Sequence, residues 1–220
     1  MNDKLILYIG EKNISSWSMR AWLGLELKGV AYEERTIPLI EDRDRSRRRA
    51  VSPTGKVPVL HAGSLVIPDS MAILEFLEEI YRPPAHTALW PSDRAQRAHA
   101  RWLAAAMHSG FPKLRESMSF NLCFLPTPPA ASAEARDEAT EMLSFWETAL
   151  ECRTAPGPFL FGEFGAVDVM YAPAVVRLTA FRVPTDRTPK SAAYMAAVLA
   201  HPAVKKWMDA ARALPSRETY

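Results

Sequence analysis

A small α/β unit followed by an all-helical bundle is the architecture that this 220-residue sequence predicts. Two observations carry it. Strand-like and helix-like patterns alternate over the first eighty residues in the order β-α-β-(α)-β-β-α, the order of a compact α/β unit. Beyond the proline-rich stretch RPPAHTALWP, the apolar patterns have helical spacing to the end of the chain.

Lys4–Ile9 is a short apolar run closed by Gly10 and reads as the first strand. Trp17, Ala21, Leu25 and Leu27 then recur near helical spacing, and Gly29 after Lys28 is a natural C-terminal stop. Ala31–Leu39 reads as a second strand, followed by a charged segment. Val57–His61 and Ser64–Ile67 read as a hairpin turning at Ala62-Gly63. Ile73, Phe76, Leu77 and Ile80 mark an amphipathic helix. The proline-rich stretch breaks the pattern, which puts the domain boundary within Arg82–Pro91, with one domain over 1–82 and the other over 92–220. One long helix is expected from Ser92 to about Met118. After the proline cluster LPTPPA comes another, with Ala139, Met142, Leu143, Trp146 and Leu150 on one face. Three more fit Asp168–Phe181, Lys190–Leu199 and Pro202–Ala213.

A hydrophobic share of 48% with 24% charged residues is that of a globular chain rather than a disordered one. A net charge of +2 makes no strong field for nucleic acid or an anionic membrane. The N-terminal apolar run of about six residues is too short for a signal peptide, and nothing approaches the roughly 18 apolar residues of a membrane helix. Cys123 and Cys152 form no CxxC pair; a disulfide between them is possible, but reduced thiols in the cytoplasm are the expectation. The histidines and cysteines are scattered without ligand spacing, so no metal is expected.

Four motifs lie in register along the chain. Ser15-Ser16-Trp17-Ser18-Met19-Arg20 resembles the SSCSxR stretch of zeta-class glutathione transferases, and Gly55-Lys56-Val57-Pro58-Val59-Leu60 resembles that family's VP turn. Pro68-Asp69-Ser70 resembles its Glu/Gln-Ser step, and Phe159 to Asp168 its capping segment. The resemblance covers nearly the whole chain. It implies a thioredoxin-like α/β N-terminal domain plus an all-α C-terminal bundle, the glutathione transferase fold. It also implies glutathione as co-substrate, a small electrophilic substrate and a homodimer.

A free thiol has a pKa of roughly 8.5, so only a few per cent is thiolate at neutral pH. Lowering it by about two units takes about 2.7 kcal/mol of preferential interaction with the charged form. A hydroxyl at a helix N-terminus offers a hydrogen bond and the helix dipole, the latter about 0.3–1 kcal/mol and up to about 2 when partly buried. Ser15, five residues before Arg20, is the first candidate for that hydroxyl and Ser16 the second; either can instead be a plain helix cap. Tyr8, on the first strand, is a third candidate.

The resemblance further implies a cis Val57–Pro58 bond that leaves the Val57 backbone able to pair with the cysteinyl unit; Lys56 beside it either touches the peptide backbone or is simply solvated. Asp69 and Ser70 open a helix whose N–H groups, hydroxyl and acid suit the γ-glutamyl carboxylate and ammonium; both also serve as ordinary caps. Asp168 is structural: Gly165 stands where the family has Ser or Thr, so half of the capping box is missing. In the run Met107 to Arg115, the residues Met107, Phe111 and Arg115 are candidates for the electrophile pocket, with Arg115 for an anionic substrate; a lone His108 and a Met/Phe stripe are more often core than pocket. Trp17 replaces the motif's cysteine, which weighs against zeta-type isomerase activity and gives the pocket a wall. The arginines at 43, 45, 47, 48 and 49 alternate with acids and read as a solvated surface segment.

The expected function is therefore a glutathione transferase that activates the thiol for attack on a small electrophile. A non-catalytic module of the same fold is the alternative. A thiol–disulfide reductase is disfavoured by the lack of cysteine over 15–18.

Overall fold

The computed structural model describes residues 4–39 and 42–218, apart from the side chains of Asp42 and Arg43. The remaining residues of the expected domains 1–82 and 92–220 lie outside the described residues.

Four strands make one mixed sheet in the order β2-β1-β3-β4. β1 (Leu5–Ile9) runs parallel to β2 (Glu33–Thr36) and antiparallel to β3 (Val59–Ala62), with Leu7 opposite Glu34 on one side and Leu60 on the other. β4 (Leu65–Ile67) closes a hairpin on β3, Ala62 opposite Leu65, so the turn falls at Gly63-Ser64, one residue beyond the expected place. A parallel pair needs a crossover, and α1 (Ser16–Lys28) supplies it. Gly29, at φ 61°, ends that helix in the left-handed conformation glycine tolerates.

The strand pleat sorts β1 by face. Leu5, Leu7 and Ile9 enter the core with α1 and α3 (Ser70–Ile80), while Tyr8 joins Ile37 and Val59 in a separate cluster flanked by Ile6 and Val51. Val51 ends α2 (Asp42–Val51), so the arginine-rich segment is a helix, and most of its described positions are exposed. Arg47 pairs with Asp44 at 2.8 Å and Arg48 donates to the Pro38 carbonyl at 2.8 Å. α1 and α3 approach closely because position 24 has no side chain: a Cβ there would lie 2.3 Å from Leu74 Cδ2.

The second half is helical: α4 (Arg94–Ser109), α5 (Pro112–Ser117), α6 (Ala133–Cys152), α7 (Ala166–Ala180), α8 (Pro189–Ala200) and α9 (Pro202–Arg212). The single long helix expected over 92–118 is broken into α4 and α5. Pro112 disfavours helical backbone at the residue before it, and Phe111 takes a left-handed conformation at φ 57°. A short 3-10 turn at Phe120–Phe124 was not anticipated.

Every residue of α7 from Ala166 to Leu178 is buried, and α1 packs against it. One continuous apolar core runs from Leu5 to Ala211 through both halves. The linker is fastened by buried Lys28, whose Nζ donates to Glu78 Oε2 at 2.6 Å and to the carbonyls of Tyr81 and Thr87 at 2.6 and 2.7 Å. All three ammonium protons are thereby used, the condition for burying such a charge. Further along, the linker carbonyl of Leu89 accepts from Ala166 N–H at 2.8 Å and would lie 2.7 Å from a Cβ at Gly165. That contact explains why the cap of α7 carries no side chain.

Among the described residues no helix is long and apolar enough to cross a membrane, and Cys123 and Cys152 are free thiols.

Candidate active site

The loop after β1 turns directly into α1, and Ser15 is that helix's N-cap. Its Oγ accepts from Ser18 N at 3.3 Å and lies 2.7 Å from Ser18 Oγ. Ser18 Oγ in turn accepts from Gly10 N at 3.1 Å. One proton of the pair makes the bond between the two hydroxyls, which leaves the other proton for an outside acceptor. α1 has no acidic residue in its first turn, so the positive end of the helix is not neutralised locally. Ser18 did not figure among the sequence candidates; the signal was a second hydroxyl three residues on, one turn along the same face.

Ser16 is differently placed. Its Oγ accepts from Arg177 Nη2 at 3.1 Å, a buried bond between α1 and α7. Tyr8 faces the opposite side of the sheet: its hydroxyl accepts from Arg35 Nη1 at 3.2 Å and its ring lies 4.9 Å from that of His61. The pleat of β1 therefore removes it from the start of α1.

Val57–Pro58 is cis and leads into β3. Lys56 is exposed, with its backbone N–H donating to Thr54 Oγ1 at 3.2 Å. Asp69 caps α3: Oδ1 accepts from Met71 N at 2.8 Å and Ala72 N at 3.0 Å, while Oδ2 lies 3.3 Å from His108 Nε2 on α4. Ser70 beside it is 1% exposed, and its Oγ has no hydrogen-bond partner. A buried hydroxyl left unpaired at a helix N-terminus suits a carboxylate. The residues thus fit a small peptide with a carboxylate at Ser70 and a thiol near Ser15.

Trp17 joins the two halves. Its ring meets His108 edge-on at 5.3 Å, the Arg20 guanidinium lies 4.1 Å from its centroid and that of Arg115 lies 5.6 Å away. Such stacking is the cation–π arrangement. Arg20 is fully buried; Nε donates to the Met170 carbonyl at 3.0 Å, whereas Nη1 and Nη2 have no partner. Burial, reinforced by the charges of Arg177 and Arg115, pushes its pKa well down. Arg115 is lowered as well, mainly by burial, and donates to the Met107 carbonyl at 3.2 Å. Three guanidinium groups therefore converge beneath the start of α1, a grouping that no spacing in the sequence announced.

Two pocket expectations are corrected here. Met107 has no exposed surface and Phe111 is 6% exposed, with its ring against Phe145 at 6.1 Å. Both belong to the core, Met107 on the buried face of α4 with Ala100, Leu103 and Ala104; Arg115 alone of the three keeps a partly exposed side chain. The C-terminal segment also reaches the site: Asn13 donates to the Pro215 carbonyl at 2.9 Å and Asn121 to that of Arg217 at 3.0 Å. Among the described residues no cluster of three or more metal-ligating side chains occurs.

Residues 14–80 match the N-terminal domain of glutathione S-transferases and residues 129–210 match the C-terminal domain. A probable maleylacetoacetate isomerase of Caenorhabditis elegans is 35% identical over 113 residues, 51% of this chain and about half of that relative's length, 50%. The maleylacetoacetate isomerase of Rattus norvegicus is 30% identical over 186 residues, covering 82% of this chain and 81% of its own. Among solved structures, a glutathione transferase homolog from Burkholderia GL BGR1 with bound glutathione aligns over 97% of this chain and 100% of its own, at 29% identity and a TM-score of 0.70. The chain belongs to the glutathione S-transferase family, as a zeta-like member.

Proposed function

We propose that this protein is a cytoplasmic, homodimeric glutathione transferase that holds the glutathione sulfur as thiolate at Ser15 and directs it to a small anionic electrophile. The observation that carries the reading is the hydroxyl pair at the start of α1, where Ser15 Oγ and Ser18 Oγ lie 2.7 Å apart, Ser18 Oγ also accepts from Gly10 N, and one hydroxyl proton of the pair is left to donate outward.

Glutathione supplies the nucleophilic sulfur when bound; the chain supplies binding, charge and position. Residues 1–82 hold the peptide: Ser70 and the first turn of α3 take the γ-glutamyl carboxylate, the Val57 backbone takes the cysteinyl unit, and Lys56 stands beside it. Asp69 holds the first turn of α3 and reaches His108 with its second oxygen. Ser15 donates to the sulfur, favouring the charged form, and the end of α1 adds its dipole. Residues 92–220 supply the electrophile side, where Arg115 and the wall of Trp17 receive an anionic group. As the sulfur–carbon bond forms, the negative charge moves from sulfur to the electrophile, and the nearby guanidinium groups stabilise it there. Exposed Trp102, Leu65 and Val66 supply apolar surface for a dimer.

A second reading, isomerisation, is favoured by the maleylacetoacetate isomerase relatives. Trp17 in place of the motif's cysteine favours addition instead.

The test is the thiolate absorbance of the bound complex against pH. For Ser15→Ala the bound-thiol pKa is expected to rise by about one to two units, equivalent to about 1.4–2.7 kcal/mol, while affinity stays within about tenfold. A bound thiol that ionises identically in Ser15→Ala, Ser16→Ala and Tyr8→Phe would leave only the non-catalytic module, whereas a rise confined to Ser16→Ala would move the assignment by one residue. Turnover of maleylacetoacetate, assayed alongside, decides between addition and isomerisation.

A further inference from the structure

The turn that delivers Ser15 to the start of α1 is fastened at each of its residues. Gly10 N donates to Ser18 Oγ, Glu11 Oε2 accepts from Leu39 N at 3.0 Å, and Asn13 reaches the Pro215 carbonyl. The Glu11 carbonyl accepts from Ile14 N at 3.0 Å and from Ser15 N at 2.8 Å, so this turn sets where the cap of α1 stands.

Lys12 lies at its centre. Lysine ordinarily keeps its ammonium in water, yet the Lys12 side chain is only 18% exposed. Its Nζ is 5.1 Å from the ring centre of Trp22 and 5.1 Å from that of Trp207, both inside the roughly 6 Å reach of cation–π attraction. Both carboxylate oxygens of Glu34 lie 2.9 Å from it, and Glu34 Oε2 also accepts from Trp22 Nε1 at 2.8 Å. Trp207 grips the residue a second time, donating its Nε1–H to the Lys12 carbonyl at 3.1 Å. One cation thereby ties the turn to α1, to β2 and to α9, near the other end of the chain.

Packing alone does not call for a charge there. The two indoles, 5.4 Å apart, would also suit a methionine, whose thioether favours aromatic rings. What the ammonium adds is a fixed point: it must meet Glu34 and both rings at once, which leaves residue 12 one position. Position matters at Ser15, because a hydrogen bond weakens steeply as its angle falls from about 150° towards about 120°.

We propose, on the footing that Ser15 is the hydroxyl that meets the sulfur, that Lys12 is a positioning residue for it. The ammonium clasped by Trp22, Trp207 and Glu34 holds the turn that aims the Ser15 hydroxyl, and through Trp207 the helix α9 takes part in thiol activation.

The experiment follows thiolate absorbance against pH in the full-length protein saturated with glutathione. Lys12→Met keeps the stem among the rings and removes the charge; the bound-thiol pKa is expected to rise by about half to one unit, with glutathione affinity within about threefold. Lys12→Arg restores a cation that stacks on indole and is expected to stay within about 0.2 unit of the unmodified protein. Added to Ser15→Ala, Lys12→Met is expected to raise the pKa by less than about 0.2 unit further, because no hydroxyl remains to be aimed. A rise of equal size with and without the Ser15 hydroxyl would make Lys12 a charge acting on sulfur through space and overturns the proposal. A lower Tm for Lys12→Met with an unchanged thiol pKa shows a packing residue and overturns it equally. An unchanged thiol in Ser15→Ala removes the assignment of Ser15 and this role with it; a raised thiol in Ser15→Ala beside an unchanged one in Lys12→Met removes the positioning role alone. If Lys12→Met does not fold, Glu34→Gln, at a partly exposed side chain, decides the matter on the same readouts, alone and combined with Ser15→Ala.

Discussion

At the start of α7, the Asp168 carboxylate accepts from Gly165 N at 2.9 Å and Leu160 N at 3.2 Å, in a place with no exposed surface. At the start of α1, two hydroxyls share one hydrogen bond, no acid occupies the first turn, and three guanidinium groups lie beneath. Both are helix N-termini with a polar residue aimed at them, and both lie along the contact between α1 and α7. They differ in what is left over. The buried acid of α7 satisfies its neighbours and presents nothing outward, so it serves the fold. The hydroxyl of α1 answers its helix without adding negative charge, so a thiolate can still be received there. Polar residues at a helix start thus divide by their residual hydrogen-bonding capacity, rather than by residue type.

The sharpest way to break this contrast is Asp168→Ala. It orphans two buried N–H donors, each worth about 1–3 kcal/mol, partly offset by removing a carboxyl that burial disfavours. The expected net loss is about 2–4 kcal/mol, or roughly 5–15 °C in Tm for a chain of this size. Burial pushes the Asp168 pKa up to about 7, against 3.8 for the unburied group, with the bonds from Gly165 and Leu160 opposing the rise. Between those values the folded protein holds a proton that the unfolded chain has released, so this residue's contribution to stability declines as pH rises towards 7. The Tm gap between the two proteins is therefore expected to be wider at pH 5 than at pH 8. If the gap instead widens with pH, the carboxylate acts as a charged stabiliser and the two helix starts are more alike than described.

Ser18→Ala sharpens the other side of the comparison. It removes the hydroxyl bonded to Ser15 and the acceptor for Gly10 N, but leaves the Ser15 hydroxyl in place. A net hydrogen bond of about 0.5–1.5 kcal/mol corresponds to a rise of roughly half to one unit in the bound-thiol pKa, smaller than for Ser15→Ala. An equal or larger rise would make Ser18 the residue that meets the sulfur.

The order of elements was legible in the sequence because strand and helix periods are local and the stops at Gly29 and the proline-rich linker are chemical. The break at Phe111 was legible in principle, since Pro112 announces it, yet the apolar spacing continues across it and hides the kink. Ser15, Val57–Pro58 and Asp69-Ser70 could be named from short motifs, but their partners could not. The bond from Arg177 to Ser16 joins residues 161 positions apart, and Arg20 meets Met170 across 150. Long-range encounters of this kind leave no periodicity. The same blindness explains Met107 and Phe111: on a helix facing a cleft, a core residue and a pocket residue have the same composition.

Ser16→Ala offers the smallest effect and the finest discrimination, because it alters the immediate neighbour of Ser15 without touching the Ser15 network. It deletes the oxygen that accepts from Arg177 Nη2, while Arg177 keeps its bond to the Met118 carbonyl at 2.8 Å. The loss of one buried bond is partly returned by the better helix propensity of alanine, so the net cost is expected to be at most about 1 kcal/mol, or roughly 2–4 °C in Tm. The bound-thiol pKa should stay within about 0.3 unit of the unmodified protein, a shift worth about 0.4 kcal/mol. Thiolate absorbance and thermal unfolding on one preparation separate these readouts. A thiol pKa that rises in Ser16→Ala as far as in Ser15→Ala, with Tm unchanged, moves the reactive hydroxyl one residue along the helix and makes the Arg177 contact part of thiol activation rather than of the join between α1 and α7.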